Sequence, residues 1–151
     1  HHIARRFRFF YALMPLILLL ASPFLRFAAF RRALGRETME HGERMSAPAF
    51  RASLRAMTRT QVFRPLLRTM GRDGPIAPLA ATVPVRIAWC ECDRVIPFDT
   101  YGKPVLDSIP AAERSIIRGA GHVPMYDEPG QVIEQVLEVT AGAERREAAA
   151  T

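Results

Sequence analysis

"PVRIAWCECDRVIP", residues 84–97, is where the chain changes character. Pro84 opens a short β-branched and aromatic run through Trp89 that reads as a buried strand, and Pro97 prevents its continuation. Asp93 falls just past the strand end. Downstream, residues 98–107 read as a helix, Ile109–Pro110 as a turn and "RSIIRG" (114–119) as a second short strand. The loop "GAGHVPMYDEP" (119–129) leads into "PGQVIEQVLEVT" (129–140), a closing helix with Val132, Val136, Leu137 and Val139 as its core side. Strand, helix, strand, helix predicts parallel strands joined by a right-handed crossover. In such α/β sheets functional side chains gather beyond the carboxyl ends of the strands, the edge that Asp93 and His122 both occupy.

An imidazole that takes a proton from a nucleophile and returns it to a leaving group needs its other nitrogen held by an acceptor, and a buried carboxylate does this. Asp93 suits the acceptor and His122 the base, with Gly119 and Gly121 giving the loop backbone angles closed to other residues. The residues alone equally allow Asp93 to cap the following helix and His122 to be an ordinary loop histidine.

Upstream, "FFYALMPLILLLASPFL" (9–25) holds 17 uncharged residues between Arg8 and Arg26, the lower limit for a membrane span. Pro15 and Pro23 interrupt it, which favours a helix packed within protein over a straight span and leaves membrane-surface contact as the alternative. Residues 26–72 read as helical. Ser46 is placed to cap "APAFRASLRAMTR", with Phe50, Leu54 and Met57 on one face, and "TQVFRPLLRTMG" (60–71) reads as a further helix. His41, without a second histidine at helical spacing, reads as a surface residue. Residues 73–83, rich in Gly, Pro and small side chains, form a linker. The sequence thus divides into a helical region (1–72), that linker, an α/β segment (84–140) and a tail (141–151) with no apolar periodicity that is expected to fray.

The chain has 151 residues, 49% hydrophobic and 24% charged, a globular composition. Its net charge of +6 is uneven: residues 1–75 carry 14 arginines against 4 acids, and residues 76–151 carry 7 basic groups against 11 acids. The arginine stripes match solvated helix faces and lack the aromatic or loop motifs that read bases, so nucleic acid is not an expected partner. Cys90 and Cys92 are spaced poorly for a disulfide and lack the companions of a metal site, so the expectation is reduced thiols, no metal, no cofactor and a cytoplasmic location.

"PVRIAWCECDRVIPFDTYG" together with "IPAAERSIIRGAGHVPMYDEPGQVIEQVLEVT" resembles the carboxyl-terminal part of the α/β-hydrolase superfamily. There the triad acid follows one strand in the context W-G-E-x-D-x-x-x-P and the histidine follows the last strand in G-x-G-H. Asp93 matches the acid and His122 the histidine. The resemblance implies the carboxyl-terminal half of that fold, parallel strands with flanking helices, preceded by helices that resemble a cap or lid in general character. The superfamily includes esterases, lipases, carbon–carbon hydrolases, epoxide hydrolases and dehalogenases, so it implies architecture more sharply than substrate. Two departures stand out. Cys90 replaces the usual glycine, which predicts crowding at the Asp93 loop. No G-x-S-x-G nucleophile elbow occurs, and Ser22, Ser46, Ser53, Ser108 and Ser115 all lie outside such a turn. The expectation is therefore an esterase- or lipase-like hydrolase acting through an acyl-enzyme on a small apolar ester-like substrate. The chain would supply acid and base, with the serine elsewhere, and be inactive alone. The alternative is a membrane-associated or interaction fragment with no catalytic role. Oligomeric state is not readable.

Overall fold

A computed structural model describes residues 2–60, 65 and 77–150. The expected helix at 60–71 lies outside the described residues apart from Thr60 and Pro65. The chain divides into two compact units, one running to Leu34 and resuming at Gly42, the other formed by Gly35–His41 and the chain from Pro75 onward.

The first unit is helical. Helix α1 spans His2–Ala21 and runs through Pro15; a 3₁₀ turn at Phe24–Arg26, α2 at Ala28–Gly35, a second 3₁₀ turn at Gly42–Arg44 and α3 at Ala47–Arg59 follow. Ser46 caps α3 as its sequence suggests, its Oγ accepting the Ala49 N–H at 3.3 Å. Met14, Ala21, Leu25, Met45, Phe50 and Leu54 are buried. The buried Arg31 guanidinium donates to backbone carbonyls, Nη1 to Leu25 O at 2.8 Å and Nη2 to Glu43 O at 3.0 Å, while its Nε has no partner among the described residues. Phe9, Leu16, Leu19 and Leu20 on α1 are exposed. Among the described residues no helix is long and apolar enough to cross a membrane.

The second unit is built on a two-stranded parallel sheet, β1 (Arg86–Cys90) and β2 (Glu113–Ile117), paired from Arg86 against Glu113 to Cys90 against Ile117. This is the mixed helix and parallel-strand arrangement expected of part of an α/β fold. The connection carries a wide helical turn at Phe98–Gly102 and α4 at Lys103–Ser108. Beyond β2 lie one short turn of helix, α5 (Pro124–Asp127), and the closing helix α6 (Pro129–Ala150). Helix α6 departs from the sequence reading in two ways. It runs on to Ala150, past the expected end at Thr140, through alanines, glutamates and arginines that are strong helix formers. Val136 and Leu137, expected in the core, are more than half exposed, because two short strands offer a 22-residue helix little surface to cover it.

Candidate active site

Each strand ends at its carboxyl edge in a loop, and the two loops are tied together because the parallel ladder continues past the strands. Glu91 N–H donates to Ile117 O at 3.0 Å and Cys92 N–H to Ala120 O at 2.9 Å. The Glu91 carboxylate reaches across to accept Gly119 N–H at 2.8 Å. Gln131, in the first turn of α6, grips Arg118 from the other side, its Oε1 accepting the Arg118 N–H and its Nε2 donating to Arg118 O.

The acid loop closes on itself. Asp93 Oδ1 accepts the N–H groups of Val95 and Ile96, both at 2.9 Å, and Trp89 Nε1 donates to Ile96 O at 3.2 Å. The Trp89 ring meets Phe98 edge-on at 5.7 Å between centroids. The carboxylate thus organises the turn that carries it. The crowding expected from Cys90 produces no left-handed backbone: among the described residues only Gly119 has positive φ. Burial pushes the Cys90 thiol up to about 11, with the neighbouring Asp93 carboxylate adding to the effect, and burial likewise raises the thiol of Cys92.

The other oxygen of Asp93 meets the histidine. His122 Nδ1 lies 3.0 Å from Asp93 Oδ2, with the acid side chain 7% exposed and the imidazole 35% exposed. Against an ionised carboxylate, which is acceptor only, a neutral ring carries its proton on Nδ1 and leaves its lone pair on Nε2. Nε2 has no protein partner among the described residues. A half-open imidazole with one nitrogen fixed by a buried acid can take a proton from an attacking oxygen and hold the resulting charge.

The two glycines of the His122 loop do different work. Gly119 has φ +67° with open space around it, so its requirement is conformational. Gly121 is required for close approach: a Cβ there would lie 3.0 Å from Met39 Cα and Thr38 O and 3.1 Å from Glu40 N.

Those neighbours belong to a strap, Gly35–His41, that the sequence reading assigns to the helical region and that packs with the second unit. Val123 N–H donates to Thr38 O at 2.9 Å. Arg94, next to the acid, donates from Nη1 to Arg36 O at 3.1 Å and pairs through Nη2 with the Glu40 carboxylate at 2.6 Å. Asp127, fully buried, accepts the N–H groups of Glu40 (2.8 Å), His41 (2.7 Å) and Gly121 (2.8 Å). His41 is therefore half-buried and anchored, not a free surface residue. Sequence reasoning misses Asp127, Arg94, Glu91 and Gln131. The available signal for Asp127 is an acid five residues after the histidine, ahead of a proline that opens a helix.

No family model and no solved structure matches the chain. It is similar to the epoxide hydrolase EphH of Mycobacterium tuberculosis (strain ATCC 25618 / H37Rv), 40% identical over 55 residues, 36% of this chain and 26% of that protein. The matched stretch spans about a quarter of the relative's length.

Proposed function

We propose that this chain carries the acid and base of an α/β-hydrolase-type site, with Asp93 orienting His122 and His122 Nε2 accepting the proton of an attacking hydroxyl or water. The observation that carries the reading is the 3.0 Å Nδ1 to Oδ2 bond between a buried acid and a half-open ring. The pair stands on adjoining loops past two parallel strands, where α/β enzymes collect their chemistry. The substrate is a small apolar electrophile opened by an oxygen nucleophile. An ester-like carbonyl follows from the resemblance, and the relative's name adds an epoxide to the classes to be tried. Both use the same proton transfer. The nucleophile, a hydroxyl or a water, is supplied or held by residues other than Asp93 and His122, and the 151-residue chain alone is proposed to be inactive.

The test is hydrolysis of short p-nitrophenyl esters and of an aryl epoxide by the polypeptide isolated from its source, and by the 151-residue chain. We expect turnover of at least one class by the former, falling by about 10²- to 10⁴-fold in the His122→Ala variant. Turnover indifferent to His122, or turnover of neither class, would refute the proposal.

A further inference from the structure

We propose that Asp127 is a positioning residue for His122, acting through the Gly35–His41 strap. The inference rests on the reading of Asp93 and His122 as acid and base, and adds a second acid, which holds backbone N–H groups on both sides of the site. A buried carboxylate is costly unless its lone pairs are filled, and here they are filled by three backbone N–H groups from two segments far apart in sequence. One donor, Gly121, is the residue before the histidine; the other two, Glu40 and His41, are the end of the strap.

The strap is held at the acid loop as well. Arg94, the residue after Asp93, grips Arg36 O and the Glu40 side chain. The strap therefore bonds to an immediate neighbour of each member of the pair, at Arg94 on one loop and at Val123 on the other, and it shares the Asp127 carboxylate with Gly121. Its backbone fills the space beside Gly121 that a methyl group would need. Charge-assisted bonds to a carboxylate are stronger than neutral ones, so Asp127 is the fastener whose loss releases strap and histidine loop together. With Gly121 free to shift, the imidazole loses the placement that keeps Nδ1 on Asp93.

The imidazole of His122 reports this directly in ¹⁵N-edited spectra of the whole chain, without substrate or nucleophile. In the wild type we expect the Nδ1-protonated tautomer with a ring N–H protected from exchange. Asp127→Asn keeps the shape and one carbonyl oxygen but loses the charge and at least one acceptor position. Its ring N–H should exchange on the order of tenfold faster or more, with mixed tautomers, while backbone amide dispersion stays native. Gly121→Ala displaces the strap without altering the carboxylate and should give the same ring signature; it decides the matter if the Asp127→Asn chain does not fold. A folded Asp127→Asn or Gly121→Ala chain with an unchanged ring overturns the positioning role while leaving the Asp93–His122 pair intact. A wild-type ring without the Nδ1 proton overturns the pair itself, and this inference with it.

Discussion

Replacing Asp93 separates its two duties. Its Oδ1 holds two loop amides at 2.9 Å and its Oδ2 holds His122 at 3.0 Å. In Asp93→Asn the amide oxygen keeps both loop donors and the NH₂ group turns to the imidazole, donating to Nδ1 and driving the ring proton to Nε2. The loop survives, and the cost is the difference between a charge-assisted and a neutral bond at a half-open ring, about 1 kcal/mol. Asp93→Ala strips all three bonds and leaves the Val95 and Ile96 amides without their acceptor, which at net values near 1 kcal/mol each amounts to about 3 kcal/mol. With a urea slope of about 1–2 kcal/mol/M, the Ala variant should unfold roughly 1 M or more below the Asn variant. Trp89, the only tryptophan, donates to Ile96 O within this loop, so its fluorescence follows the transition. In ¹⁵N spectra the Asn variant should carry its proton on Nε2, which removes the basic lone pair. Asn and Ala variants of equal stability, or a ring proton that stays on Nδ1 in the Asn variant, would refute the division of labour between the two oxygens.

Two further outcomes follow from single residues. Gly119 has φ +67° with nothing within 4 Å of the place a Cβ would take, so Gly119→Ala should cost about 1 kcal/mol through backbone conformation alone and Gly119→Asn less; urea midpoints check this, and an Ala variant as stable as wild type would contradict it. Cys90, its thiol pushed up to about 11 by burial, should be alkylated by iodoacetamide more slowly at pH 8 than an unfolded control. Because the folded state holds that proton more tightly than the unfolded state, whose thiol titrates near 9.0, the associated stability is complete below pH 9 and declines as pH rises towards 11.

The elements legible in the sequence are those decided by local chemistry. Val85 to Trp89 between two prolines, and the apolar run before Gly119, mark the strands to within a residue or two. Ser46 marks the start of α3. Asp93 and His122 fall at one edge because a parallel crossover puts consecutive strand ends side by side. What is not legible depends on which surfaces meet. The exposure of Val136 and Leu137 is set by how much sheet lies beneath α6, which periodicity does not encode. The reason for Gly121 is hidden for the same cause: its φ is ordinary, and the constraint is the strap backbone at 3.0 Å. Contacts between Asp127 and residues 86 and 87 positions earlier leave no trace in local spacing.

The structural and functional readings of Asp93 are also less opposed than a sequence makes them look. A carboxylate offers about four lone-pair directions over two oxygens, so organising a turn and holding an imidazole do not compete. At Asp93 the first oxygen takes two loop amides and the second takes the ring. At Asp127 one oxygen takes a strap amide while the other takes a second strap amide and the amide before His122. Each acid fixes a backbone at this edge, Asp93 holding the imidazole directly as well and Asp127 acting on it through Gly121. Loop geometry and pair geometry at this edge are set by the same hydrogen bonds, so a substitution that leaves Asp93 and His122 untouched can still part them, provided it moves Gly121 or the strap.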